Sequence, residues 1–212
     1  MELLNQISQN LQIGDDTRVA ELTKLALDQQ ISPEEILNNG LIAGMNIIGD
    51  RFKAHDIFLP DVLLAAKAMY AGMDLLKPML IKEGIPSRGK IVIGSVQGDL
   101  HDIGKNLVGI MLKGAGYEVI DLGNDVSPEN FVNTAKSNNA NVIGMSALLT
   151  TTMAVMKQVV DIIKDEKLSG QIKTIIGGAP VSKAFADEIG ADAYGYDAGH
   201  AVECIKTMTG SG

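Results

Sequence analysis

One short stretch concentrates the residue types that bind metals and move protons: Asp99-Leu100-His101-Asp102-Ile103-Gly104. His101 stands two residues after an aspartate and three before a glycine. That spacing lets Asp99 accept from one ring nitrogen while the other faces a metal, and such a carboxylate fixes the imidazole tautomer and raises its basicity. A lone histidine cannot build a closed zinc site, which takes four protein ligands. Metal binding here therefore makes sense only where a cofactor brings the remaining coordination. The same residues also suit a plain aspartate–histidine hydrogen bond in a capping loop, and the motif alone leaves both readings open. Other candidates are poorer. The single cysteine, Cys204, can form neither an internal disulfide nor a thiolate cage, and His55 and His200 stand isolated from other ligand types.

The surrounding pattern supplies elements to position this stretch. Lys90 to Ser95 is a β-branched run ending in small residues, as a buried parallel strand would be, and a helix should follow from about Ile103 to Ala115. The alternation repeats with strands at Glu118 to Leu122, Asn141 to Ser146, Lys173 to Ile176 and Ala193 to Tyr196. Helices are expected at Pro128 to Ser137, Met153 to Asp165, Ser182 to Ile189 and Gly199 to Thr207. Five such repeats predict an α/β fold, a doubly wound, mostly parallel five-stranded sheet, with ligands at the carboxyl ends of the strands. Before residue 84 the periodicity is helical throughout. Glu2 to Leu11 and Thr17 to Gln30 form amphipathic stretches, and Ser32-Pro33-Glu34-Glu35 is a capping-box start for a stripe of Ile36, Leu37, Leu41, Met45, Ile48 and Phe52. A last helix should begin near Leu59-Pro60 and stop close to Lys77-Pro78. About four helices with short connections predict a small up-and-down bundle. Gly84 to Gly89, rich in turn residues, reads as a linker, giving domains of 1–86 and 87–212. Glycine is skewed across that boundary, six residues before Arg88 and seventeen after, so the two parts are built differently.

The loops also exclude chemistry. No G-x-G-x-x-G follows the first strand, which disfavours a dinucleotide. Gly98 to Lys105 has one residue too many for a P-loop, and Asn106 stands where a magnesium-binding hydroxyl belongs. The third strand ends in Met145-Ser146 without the aspartate of a phospho-receiver, and no nucleophile elbow or H-E-x-x-H is present. Acidic side chains outnumber basic ones 26 to 18, a net charge of −8, which argues against nucleic acid or an anionic membrane as partner. No apolar run approaches the roughly 20 residues of a membrane helix and no leader pattern opens the chain, so a cytoplasmic protein is expected.

Three signals in order then carry a family resemblance: D-x-H-x-x-G at Asp99 to Gly104, S-x-L at Ser146-Ala147-Leu148 ending the third strand, and Gly177-Gly178 ending the fourth. The second part resembles the cobalamin-binding domains, and the helical first part resembles the cap module that precedes that domain in methionine synthase. Together they are similar to the free-standing corrinoid proteins of methanol, methylamine and methoxyarene methyltransferase systems. The resemblance implies a cap followed by a Rossmann-like (flavodoxin-like) domain that binds cobalamin or a related cobamide in its base-off, His-on form. His101 would be the axial ligand of cobalt, with Asp102, Ile103 and Gly104 beside it. Ser146, Leu148, Thr150, Gly177 and Gly178 would surround the nucleotide tail, Asp99 and Thr152 would form a hydrogen-bond relay, and Phe58 would cover the upper corrin face.

The function so implied is a methyl carrier, not catalytic alone. Its partners would be a substrate-specific methyltransferase, an acceptor methyltransferase acting on tetrahydrofolate or a thiol, and a reductive activation protein. Two rivals share the motif. The cobalamin-binding subunit of an adenosylcobalamin-dependent radical isomerase lacks such a helical cap. A corrinoid-sensing regulator should bring a basic DNA-reading module, whereas residues 1–51 carry only Arg18, Lys24 and Arg51 as cations.

Overall fold

A computed structural model describes residues 2–83 and 87–210. It divides into two compact units, Met1–Ser87 with Gly114–Gly116, and Arg88–Lys113 with Tyr117–Gly212. Gly84, Ile85 and Pro86 of the expected linker lie outside the described residues.

The first unit is helical: α1 (Glu2–Gln12), α2 (Asp16–Asp28), α3 (Pro33–Ile36), α4 (Ala43–Lys53) and α5 (Leu59–Glu83). Asp15 caps α2 by accepting from Arg18 N, and Ser32 caps α3 by accepting from Glu35 N. Leu4, Ile7 and Leu11 of α1, Val19 and Leu22 of α2, and Val62, Ala65, Ala68, Met69 and Leu76 of α5 are buried. Two local features depart from expectation. Residues Leu37–Ile42, joining α3 to α4, are π-helical. The wider turn is why Ile36 and Leu41, five residues apart, are both buried, since five residues of α-helix would rotate the second away from the first. Second, α5 does not stop at Lys77-Pro78 but runs through Pro78 to Glu83. Leu76 and Leu80, on either side of the proline, are both buried, so packing outweighs the backbone bond that proline cannot make.

The second unit is the alternating one. Strands β1 (Lys90–Ser95), β2 (Glu118–Asp121), β3 (Val142–Ser146), β4 (Lys173–Gly177) and β5 (Ala193–Gly195) are interleaved with five helices. These are α6 (Ile103–Gly114), α7 (Pro128–Asn138), α8 (Ala154–Asp165), α9 (Lys183–Ile189) and α10 (Ala198–Met208). The sheet is wholly parallel in the order β2-β1-β3-β4-β5, the doubly wound arrangement expected, with its reversal of strand order at β1 and β3. One face carries a dense core in which Val92, Ile143 and Ile176 meet Phe131 and Val132 of α7 and Met156 and Val159 of α8. Register aligns the strand ends, pairing Ser95 with Ser146, Ser146 with Gly177, and Gly177 with Gly195. A row of small side chains therefore crosses the carboxyl edge, where the loops after β1 and β3 flank the switch point.

Candidate cofactor site

The loop after β1 turns at Gly98, whose φ of +83° favours glycine, and buries Asp99 completely. One carboxylate oxygen of Asp99 lies 2.8 Å from His101 Nδ1 and accepts from His101 N at 3.1 Å. The other accepts from Leu148 N at 2.6 Å, Leu149 N at 3.2 Å and Thr152 Oγ1 at 3.1 Å, all in the loop after β3. Burial pushes the carboxyl group towards neutrality, but the hydrogen bonds from Leu148, His101 and Thr152 together outweigh it and hold Asp99 well below the usual carboxylate range. An ionised carboxylate only accepts, so the proton of the His101 ring sits on Nδ1 and Nε2 presents its lone pair. The ring is about half exposed. The hydroxyl of Thr152 lies 2.9 Å from Leu149 O as well, so its single hydrogen serves two acceptors.

The structure thus brings Asp99, His101, Leu148 and Thr152 into one cluster. Thr150 is exposed in the same loop and takes no part in the bonds to Asp99. Asp102 and Ile103 lead into α6, Ile103 being 76% exposed. Phe58 belongs to the first unit, just before α5: its N–H donates to Asp61 Oδ2 at 2.9 Å and its side chain is 70% exposed. Along α5, which follows it, Ala65, Ala68 and Met69 are buried and Leu63 is exposed.

Beside the cluster a cavity of about 350 Å³ opens between the sheet and the helices α6 and α10. Gly104, Ser146, Gly177 and Gly178 line it, as do Gly144 and Gly195, two glycines the sequence had not singled out. The glycines are there for different reasons. A Cβ on Gly178, at φ +122°, would stand 1.9 Å from Ala147 O, and one on Gly177 would stand 2.9 Å from Gly195 O. The fold itself requires both. A Cβ on Gly104 would meet nothing within 4 Å, so the chain places no such demand there and the clearance is towards the open site.

These features suit a large planar cofactor with an apolar body. Leu100, Ile103, Leu148 and Leu149 are all exposed in or beside the loops that hold His101, an arrangement that water disfavours and a flat apolar ligand would cover. The donor set is one imidazole nitrogen, and among the described residues no group of three or more histidine, cysteine or acidic side chains could hold a metal unaided. A metal bound here must bring most of its own ligands.

Residues outside the motifs complete the geometry. Ser95, fully buried at the end of β1, donates from Oγ to the carbonyl of His101 at 2.6 Å. Asp125, in the loop after β2, accepts from Gly98 N at 2.7 Å. Lys105, buried on α6, donates to both carboxylate oxygens of Asp121 at 2.5 Å and to Asn106 Oδ1 at 2.7 Å, which ties α6 to the end of β2. Lys105 could have been noticed two residues beyond Ile103, whereas nothing in sequence marks Ser95 or Asp125. Tyr196 and His200 stack with ring centroids 4.1 Å apart, so His200 has a structural partner of its own.

Comparison with known proteins places the chain as a whole. The B12 binding domain family matches residues 89–204, and a second B12 binding domain model matches residues 3–77. A corrinoid protein of Desulfitobacterium hafniense (strain Y51) is 43% identical over 99% of each chain. The dimethylamine corrinoid protein 1 of Methanosarcina acetivorans is 47% identical over 84% of each. Among solved structures, the methanol:cobalamin methyltransferase complex of Methanosarcina barkeri superposes with a TM-score of 0.88 at 29% identity, over 100% of this chain and 81% of that one. With both parts matched and identity extending from end to end, the chain belongs to the corrinoid proteins built from B12 binding domains.

Proposed function

We propose that this protein is the methyl carrier of a corrinoid-dependent methyltransferase system. It receives a methyl group from a substrate-specific methyltransferase and yields it to a second one acting on tetrahydrofolate or a thiol, and a reductive activation protein keeps it competent. The observation that carries this reading is His101, its Nδ1 committed to buried Asp99 in loops whose Leu100, Leu148 and Leu149 are exposed. When bound, a corrinoid supplies the nucleophilic, methyl-accepting cobalt that no side chain can offer. The chain's own residues do the rest. His101 would ligate the metal in the base-off, His-on state. Asp99 would hold the ring's tautomer, and Thr152 would turn its hydroxyl hydrogen between Asp99 and Leu149 O, so that the His101–Asp99–Thr152 hydrogen-bond relay tightens or relaxes its hold on the Nδ1–H. Leu100, Ile103 and Leu148 would exclude water from one side of the macrocycle.

The cavity behind Ser146, Gly177 and Gly178 would receive the nucleotide tail, with Gly104 and Asp102 at its approach and Thr150 at its rim. On this reading residues 1–86 form the cap domain and 87–212 the cofactor domain. Phe58 is exposed on the first unit, as a residue that meets a ligand must be. Relatives named as dimethylamine and trimethylamine corrinoid proteins, 47% and 41% identical, favour methylated amines as the donor class.

The test is reconstitution. Protein mixed with methylcobalamin should show a base-off, nitrogen-ligated absorbance spectrum. The His101→Ala variant should lose that signature while keeping its far-UV circular dichroism, and a wild-type protein that stays colourless would end the cofactor reading. Transfer of labelled methyl to tetrahydrofolate or to a thiol with candidate acceptor enzymes then identifies the acceptor.

A further inference from the structure

The peptide segment that carries His101 is held by residues from two neighbouring elements, none of them in the motif. The carboxylate of Asp125 accepts from Gly98 N at 2.7 Å while the backbone N–H of the same residue donates to Asp99 O at 3.1 Å. The two bonds hold the peptide units on either side of the 98–99 peptide, which leads into the Asp99 side chain. Asp125 makes them from a left-handed backbone, φ +55°, a conformation that aspartate tolerates better than most residues and that points its N–H and its side chain to the same side. Next to it Asn124 Nδ2 lies 3.4 Å from Leu100 O. Gly123 O accepts from Ser95 N and Val126 N donates to Ser95 O, both at 3.0 Å, which zips the loop after β2 to the end of β1. Ser95 then closes the segment at its far end, its buried Oγ donating to His101 O at 2.6 Å. Backbone groups of residues 98, 99, 100 and 101 are thus each held from outside the motif.

We propose that Asp125 and Ser95 are positioning residues for His101, fixing the direction in which Nε2 is presented and so the balance between His-bound and His-free cobalt. The proposal rests on the ligation reading above. Asp99 can hold the imidazole only from a fixed backbone, because a rotation of the 98–99 peptide would carry its carboxylate away from Nδ1 and from Leu148 N together. Ser95 restrains His101 itself, through the carbonyl oxygen that accepts from Ser95 Oγ. Neither residue touches the cofactor; both act through the loop.

The experiment uses the full chain and three variants. Asp125→Gly keeps the left-handed backbone and the N–H while removing the carboxylate; Asp125→Asn keeps an acceptor oxygen; Ser95→Ala removes one buried hydroxyl. Each protein is loaded with cob(II)alamin, and the nitrogen splitting of the cobalt electron paramagnetic resonance signal gives the His-bound fraction. Asp125→Gly and Ser95→Ala should bind the corrinoid with the ratio of His-bound to His-free cobalt lowered about three- to tenfold, the worth of one hydrogen bond. Asp125→Asn should restore the wild-type ratio. Wild-type ratios in both Asp125→Gly and Ser95→Ala overturn the proposal, and should Asp125→Gly fail to fold, the Ser95→Ala ratio decides alone. In parallel, ¹⁵N spectra of the His101 ring in the cofactor-free proteins should show the Nδ1–H bond to Asp99 loosened in the same two variants. If wild type lacks the nitrogen splitting, the ligation reading fails, and the ring spectra decide the proposal: a shift in both variants sustains the positioning, an unmoved ring overturns it.

Discussion

Asp99 is a buried carboxylate compensated by hydrogen-bond donors, two from the loop it sits in and three from the loop after β3. Its carboxyl is held below the ordinary value of 3.8 because those donors favour the charged form more than burial disfavours it. The sign follows from linkage: a group whose pKa falls on folding contributes stability in full above its unfolded value, and loses it as the pH drops towards the folded one. Chemical denaturation of the cofactor-free protein should therefore show Asp99→Asn less stable than wild type by about 1–3 kcal/mol at pH 7, since an amide NH₂ would confront N–H donors. The gap should narrow only below about pH 4. An equal gap at pH 7 and at the acid limit would show that the carboxylate charge is not what the donors stabilise.

Elements decide why two conspicuous glycines differ. Gly178 lies past the end of β4 with positive φ, where a side chain would collide with the backbone at Ala147, so Gly178→Ala should cost at least about 2 kcal/mol of unfolding free energy. Gly104 lies in the first turn of α6 with open space around its Cβ position, and Gly104→Ala should leave the cofactor-free stability unchanged or raised by up to about 1 kcal/mol. On the cofactor reading the same substitution should weaken corrinoid binding, so equilibrium unfolding and a binding titration together separate the two glycines. In the first unit, Pro78 lies inside α5, which should make Pro78→Ala stabilising by up to about 3 kcal/mol in thermal or urea unfolding. A destabilised variant would mean that the proline ring itself packs to advantage.

The whole chain carries a net charge of −8, and no helix among its described residues is long and apolar enough to cross a membrane. Field lines from such a chain extend about 10 Å at 0.1 M salt, so its encounters with partners should be governed by charge as much as by shape. If the proposed methyltransferases meet it through basic surfaces, the dissociation constant should rise steadily as salt is increased through the physiological range, mostly through a slower association rate. A dissociation constant independent of ionic strength would assign that interface to apolar contacts instead.

Local pattern was enough for the strand–helix alternation, the doubly wound sheet and the histidine motif, because β-branched runs, capping boxes and glycine turns act over a few residues. The same local rules ended α5 too early at Pro78 and hid the π-helical turn at Leu37–Ile42, where burial of Leu80 and of the Ile36–Leu41 pair overrides backbone preference. The site divides along the same line. Asp99, His101 and Gly104 are neighbours in sequence, and their spacing already announces a supported imidazole. The other half of the support comes from Leu148, Thr152, Ser95 and Asp125. Thr152 stands 53 residues from Asp99, and Asp125 stands 27 from Gly98. Only the parallel register, which sets the ends of β1 and β3 side by side with the loop after β2 folded against them, turns those separations into hydrogen bonds. Backbone N–H groups such as that of Leu149 carry no residue type, so no motif could have named them.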